Sequence, residues 1–235
     1  MLKISSLKLQ LIIFLIIFAA YLSAVNKDAT FLFGLLVAVF SALAADFLLM
    51  YLKKEKVRFD DSSVISALII GFILSNLQPW WIFSLTSILA VASKHIIRFN
   101  RRHIFNPAGL GIFLAVLLFH GFTKWKGASV WYIMLPFGVY FVYKVQKLEI
   151  IIAYLLAFLI LFGIKGFGYL NYFFILVMLI EPKTTPIKRK GKIIFGLGTA
   201  ILLFILTKFN FNFEAEICSL LAMNLFVPLL NRDVS

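Results

Sequence analysis

Lys94-His95-Ile96-Ile97-Arg98-Phe99-Asn100-Arg101-Arg102-His103-Ile104-Phe105-Asn106-Pro107-Ala108-Gly109-Leu110-Gly111 runs from a cluster of cations straight into an apolar segment that opens with Asn-Pro-Ala. Four Lys or Arg and two His fall between Lys94 and His103. Charge at that density is costly in hydrocarbon and favourable beside phosphates, so the stretch belongs at a membrane surface, and the chain re-enters the membrane from Phe105. Pro107 suits the first position of a helix, because it lacks the N–H that would be unsatisfied there. The free N–H groups and dipole of that helix start suit a phosphate or carboxylate. An Asn-Pro start is also an ordinary helix cap, and a basic loop also sets topology.

Outward from this stretch the chain is apolar throughout. Of 235 residues, 63% are hydrophobic and only 14% charged, with a mean hydropathy of +1.01. That composition excludes a soluble domain and indicates a polytopic membrane protein. The net charge of +13 is spread over short loops between apolar runs. It therefore points to anionic lipid headgroups and away from nucleic acid. The single cysteine, Cys218, lies in an apolar run, so the chain offers neither a disulfide of its own nor a thiolate cluster. Met1 to Ala24 imitates a signal peptide but reads as a retained first span, since equally apolar segments follow it.

Ten apolar segments can be drawn: Leu9 to Val25, Thr30 to Leu52, Ser62 to Leu77, Trp80 to Ser93, Pro107 to His120, Val130 to Tyr143, Leu148 to Ile164, Tyr169 to Ile180, Lys192 to Leu206 and Ala215 to Leu230. Several are shorter than the roughly 20 residues a straight helix needs to cross, so some are half-membrane or re-entrant helices. With the N-terminus inside and ten crossings, 18 of the 23 basic residues, from Lys3 to Arg232, fall on the inner side. Lys27, Lys124, Lys126, Lys165 and Lys208 remain outside, together with all four tryptophans, an arrangement that the positive-inside rule and an outer aromatic belt both favour. Both termini are then cytoplasmic. Ten segments divide five and five near Phe122, and an odd number per half inverts the second half. The expected fold is one all-α integral membrane domain over 1–235, in two inverted five-helix repeats, 1–122 and 123–235.

Ionisable groups inside spans are the first candidates for chemistry. Asp46, within Ala-Ala-Asp-Phe-Leu-Leu, is expected to face the bundle interior and to pair with or conduct a cation. Asp60, Asp61, Ser62 and Ser63 form a polar entry to a short helix, and Glu181-Pro182 ends another before Thr184 and Thr185 meet a basic loop. Capping and topology account for much of both. Polar ends of broken helices also suit ions and phosphorylated cofactors. No phosphate-binding loop, dinucleotide fingerprint, Ser/His/Asp series or Cys-x-x-Cys is present, which argues against self-contained soluble-type catalysis.

Three ordered motifs resemble a family, that of the Rnf electron-transport subunit RnfD and its counterpart NqrB of sodium-translocating NADH:quinone reductase. They are Asp60-Asp61-Ser62-Ser63-Val64-Ile65-Ser66 continuing to Trp81, Lys94 followed by His103-Ile104-Phe105-Asn106-Pro107-Ala108-Gly109, and Glu181-Pro182-Lys183-Thr184-Thr185-Pro186 continuing through Gly191 to Gly196. The resemblance implies ten helices in two inverted repeats, electron transfer through flavin, coupled movement of sodium or protons, and sibling subunits that oxidise ferredoxin or NADH. It departs from the family where the flavin-attaching Ser-Gly-Ala-Thr is missing; Lys126-Gly127-Ala128-Ser129 is the nearest fragment. FMN or riboflavin is accordingly expected to be non-covalent. The residues expected to hold it are Lys94, Asn106, Pro107, Thr184 and Thr185, with Asp46, Asp61 and Glu181 along an ion pathway. The competing readings are a small-solute channel or carrier on the same scaffold, and an assembly subunit with no site. The place expected for the chain is the cytoplasmic membrane, in contact with other membrane and peripheral subunits and with anionic lipids.

Overall fold

The computed structural model describes residues 6–99, 102–211 and 213–232, so Lys3 and Arg101 of the basic residues counted above lie outside the described residues. Ser6 starts α1 (Leu7–Asn26) by accepting a hydrogen bond from the Leu9 N–H, and Asp28 starts α2 (Ala29–Leu52) by accepting one from Phe31. Small polar residues at these positions satisfy donors that a helix start leaves open. α3 (Asp61–Ile73), capped by Asp60, is too short to cross a bilayer alone. Its far end is closed by irregular backbone: Lys124 N–H donates to Ile73 O at 2.7 Å, Ser75 N–H donates to Phe122 O at 3.2 Å, and Leu74 bridges Thr123. A broken helix inside a membrane needs such partners.

α4 (Trp80–Ile96) carries the chain to the basic stretch. There β1 (Arg98–Phe99) pairs antiparallel with β2 (Arg102–His103), a small hairpin that helical periodicity does not announce. α5 (Pro107–Phe119) follows, then a 3₁₀ turn (Lys126–Ala128), α6 (Trp131–Lys144) and α7 (Leu148–Phe162). α8 (Arg189–Lys208) and α9 (Ala215–Leu230) complete the chain. Where an eighth helix over Tyr169 to Ile180 is expected, a 3₁₀ segment (Ile164–Tyr169) leads into a π-helical turn (Phe174–Met178). The described residues thus form nine α-helices and this turn instead of ten helices. Gly163, Gly166 and Gly168 break the entry, and the Asn171 side chain caps Phe174 N–H at 3.0 Å. Only five residues of π-helix remain before Glu181-Pro182.

Three helices, α1, α2 and α8, are long and apolar enough to cross a membrane; α3, α5, α7 and α9 are shorter apolar helices. Large apolar side chains such as Phe40 and Ile160 are exposed, 68% and 81%, which suits contact with lipid and not water. The chain packs as two compact units. One comprises the chain up to Ile96 with Leu110–Lys126, the other Ile97–Gly109 with the chain from Gly127. In the first, Phe18 stacks on Phe72 and Gly111 of α5 abuts the Thr86 carbonyl of α4, where a Cβ would lie 2.6 Å from that oxygen. In the second, Tyr154, Phe173, Phe174 and Phe195 are fully buried, and Gly138 of α6 lets Leu176 approach. Close helix contacts through small residues are the usual packing device where water supplies no driving force between helices.

Candidate functional site

The first unit buries an ionic cluster. α2 supplies Asp46, α4 supplies Lys94 and His95, and the start of α3 supplies Asp60 and Ser63. Asp46 is 1% exposed; its Oδ2 accepts from Ser63 Oγ at 2.8 Å and its Oδ1 lies 2.6 Å from His95 Nε2. Lys94, 4% exposed, donates from Nζ to Asp60 Oδ2 at 2.6 Å and to Ser63 Oγ at 2.5 Å, and stands 3.4 Å from Asp46 Oδ1. Lys8 reaches the rim, 3.8 Å from Asp60. Burial raises the Asp60 carboxyl, but the hydrogen bond and charge of Lys94 outweigh it and hold the group at about 2.

Two carboxylates therefore share one buried ammonium. Because a carboxylate only accepts, His95 must present Nε2–H to Asp46. In the neutral ring the remaining Nδ1 is then a lone-pair acceptor, and it is buried with no hydrogen-bond partner among the described residues. Lys53 fixes this corner by donating to the His95 carbonyl at 2.8 Å. Asp61, in the first turn of α3, is half-buried and makes no hydrogen bond or ion pair with the cluster.

The second unit holds a neutral network around Asn106 and Asn224. Asn106 donates its N–H to Asn224 Oδ1 at 2.9 Å, and its own Oδ1 accepts from Gly109 N–H at 2.9 Å, capping α5. Asn224 Nδ2 donates to Thr184 O at 2.9 Å. Thr184 Oγ1 donates to Glu181 Oε2 at 3.0 Å, Thr185 Oγ1 donates to Glu181 O at 2.7 Å, and His103 Nε2 lies 3.2 Å from Glu181 Oε1. Lys147 donates to Pro186 O at 2.6 Å. Burial, aided by the nearby charge of Lys192, lowers its ammonium to about 8.

Of the residues nominated from the sequence, Asp46 meets Lys94, whereas Asn106, Pro107, Thr184, Thr185 and Glu181 gather separately in the second unit. Asn106, Thr184 and Thr185 are at most 2% exposed, and their polar groups are engaged by one another and by backbone. They fit a structural joint better than direct contact with a flavin. His95, Asn224 and Lys147 escape sequence reasoning. Asn224 carries a signal, an amide within Ala-Met-Asn-Leu-Phe, and His95 carries another, its place beside Lys94 in the last turn of an apolar helix.

A cavity of about 400 Å³ opens beside this network, bounded by the hairpin, the turn after Glu181 and the end of α9. His103 and Asn224 line it together with Arg102, Lys183 and Arg232.

Three curated proteins, each the RnfD subunit of an ion-translocating oxidoreductase complex, show how far the likeness extends. The one from Buchnera aphidicola subsp. Baizongia pistaciae is 30% identical over 92 residues, 37% of this chain and 26% of that relative. Its counterpart from Aeromonas salmonicida is 30% identical over 89 residues, 36% and 25% of the two chains. That from Stutzerimonas stutzeri is 38% identical over 52 residues, 22% and 15%. The matched stretch spans about a quarter of the length of the first two relatives. The family described as NQR2, RnfD, RnfE is matched over residues 2–129 and 114–235. With the match running nearly from end to end, the chain belongs to the NQR2, RnfD, RnfE family.

Proposed function

We propose that the chain is a membrane subunit of an ion-translocating oxidoreductase complex of the Rnf or sodium-translocating NADH:quinone reductase type. In this reading its two halves are inverted repeats, both termini are cytoplasmic, and sibling subunits in the cytoplasmic membrane carry electron input. The observation that carries the reading is the buried cluster of Asp46, Asp60, Lys94 and His95, with Lys8 at its rim. Ionisable groups inside an apolar bundle are expensive and mark ion pathways. The space between the carboxylates is already held by Lys94, so the exchanged species binds at His95, and a proton suits that site better than sodium. Asp61 and Glu181 are kept in this reading as ion-pathway residues outside the cluster.

FMN or riboflavin, bound without a covalent link, would supply the electron-transfer chemistry in this reading. Asn106, Pro107, Thr184 and Thr185 would shape the protein around it, their own polar groups being engaged within the chain.

The test uses everted membrane vesicles carrying the intact complex, with electron transfer and ion uptake measured together. Asp46→Asn and His95→Phe are expected to cut ion uptake about tenfold or more while the complex still assembles, the scale associated with loss of one proton-transfer group. Uptake at the wild-type level in both variants would remove the cluster from the pathway. Acid precipitation of the purified complex should release a flavin band into the supernatant. Solute flux through the isolated chain in liposomes would instead support the channel reading.

A further inference from the structure

We propose that a file of water molecules runs along α4, from the turn that precedes it to His95, and that protons exchange along this file with the ionic cluster. The inference rests on the ion-translocating role proposed above. Among the described residues five buried side-chain atoms have no hydrogen-bond partner: Asn76 Oδ1, Gln78 Nε2, Thr86 Oγ1, Ser87 Oγ and His95 Nδ1. All five lie in the turn before α4 or on α4 itself, within one compact unit and in order from one end of the helix to the other. Buried polar groups are ordinarily bonded, and ordered water is the usual partner where protein supplies none.

Thr86 and Ser87 are fully buried. A hydroxyl inside a helix can satisfy itself on the carbonyl one turn earlier. Ser66 does so on Ser62 O at 3.0 Å and Thr199 on Phe195 O at 2.8 Å, whereas neither Thr86 nor Ser87 takes this route. Asn76 donates through Nδ2 to Asp28 and Thr30, which fixes its Oδ1 as the open acceptor at the entrance. Further along, Ser41 Oγ of α2 donates to Ser84 Oγ at 2.9 Å. Ser84, Ser87, Lys94 and His95 recur at the spacing of one helix face, the face that meets Ser41 and Asp46 of α2. Thr86 sits about 100° round the helix from Ser87, on the side where Gly111 of α5 abuts its carbonyl. From Ser87 to His95 the helix rises about 12 Å, a span for about three or four waters in hydrogen-bonded line. Val91, 1% exposed and one turn from each, is the apolar side chain they pass. At the far end water donates to His95 Nδ1; a proton handed to that nitrogen leaves Nε2–H on Asp46, and the water that gives it up is reprotonated by the next in the file.

The experiment is X-ray radiolytic footprinting of the intact complex, in which hydroxyl radicals made from water inside the protein oxidise the side chains beside it. The expected result is oxidation of Val91 well above that of Ile70 and Ile73 of α3, which are as deeply buried. Thr86→Val/Ser87→Ala removes only the two hydroxyls and should abolish that excess, whereas Thr199→Val, whose hydroxyl is already bonded to the backbone, should keep it. The melting midpoint of the double variant should not fall, because its hydroxyls have no protein partner to lose; a fall would reveal such partners and overturn the file. In everted vesicles the double variant should cut proton uptake about tenfold or more, the scale of losing a proton-transfer group. Val91 oxidised no more than Ile70 and Ile73, or still oxidised in the double variant, would overturn the water file. Oxidation lost with uptake at the wild-type level would overturn its use by protons. Failure of the ion-translocating role shows differently, as wild-type uptake in Asp46→Asn and His95→Phe with the oxidation of Val91 intact.

Discussion

Lys94→Met should be the most damaging single substitution in the ionic cluster, and the structure says how much of the damage Asp46 causes. The Lys94 side chain is 5% exposed and that of Asp46 2%, so removing the ammonium strands the Asp46 carboxylate with only His95 and Ser63 beside it. Breaking a buried pair from one side costs about 3–5 kcal/mol. Asp60 adds little, because its side chain is 27% exposed and it keeps the Ser62 N–H and Lys8. Asp46→Asn alone should cost about 1–2 kcal/mol, since Lys94 retains Asp60 and the amide oxygen still accepts from Ser63.

The double variant removes both charges, and its cost should return to about 1–2 kcal/mol, giving a coupling of at least about 2 kcal/mol. The assay is equilibrium unfolding in mixed micelles across the four members of the cycle. Lys94→Met alone should lower the melting midpoint by on the order of 10 °C for a chain of this length. If the single costs simply add in the double variant, the two groups are not a buried pair and the cluster described above is wrong.

The ammonium of Lys147, ordinarily near 10.5, is lowered to about 8, so the folded state holds its proton less tightly than the unfolded chain. Its cost is fully present below pH 8 and is relieved as pH rises from about 8 to 10.5; stability should rise there by up to about 3 kcal/mol, and Lys147→Met should flatten that rise in a pH series of unfolding midpoints. Gly111→Ala would set a Cβ 2.6 Å from Thr86 O and 2.8 Å from Ala90 Cβ; the α4 to α5 contact should weaken by about 1–3 kcal/mol in the same unfolding assay. Asn224→Leu leaves the Asn106 N–H and the Thr184 carbonyl without their partners. The expected loss is about 2–5 kcal/mol, with faster amide hydrogen exchange at Asn106.

Much of this arrangement is open to sequence reasoning because apolar runs bounded by charges leave few choices. Ala215 to Leu230 is a helix over the expected bounds, and Pro107 begins one as its missing N–H requires. The π-helical turn is not legible, since an apolar run of that length does not reveal that glycines before it and Glu181-Pro182 after it leave room for barely more than one turn. Nor is the hairpin, whose strands are two residues each and too short to show a period. Asp46 stands out as a charge in a span, yet its partner does not. Along the sequence Lys94 belongs with the basic loop, but the last turn of α4 continues through it and turns it inward. Pairing residues 48 apart in sequence depends on the register of two packed helices, which one sequence does not fix.

The two buried polar clusters differ in the quantity that matters for ion coupling. Around Asn106 and Asn224 nearly every group is neutral and already bonded, so a change of protonation there would have to break hydrogen bonds to find an acceptor. Around Asp46 the charges are paired, Lys94 with both carboxylates and Lys8 with Asp60, but His95 retains a buried nitrogen with no partner among the described residues. A hydrogen bond made at that nitrogen would leave Asp46's contacts with Ser63 and Lys94 in place. The Asn106 network is built to resist change and the Asp46 cluster to accept it. The proposed ion-translocating subunit would use both properties, because a charge exchanged in one place can do mechanical work on helices only where other parts of the same chain stay fixed.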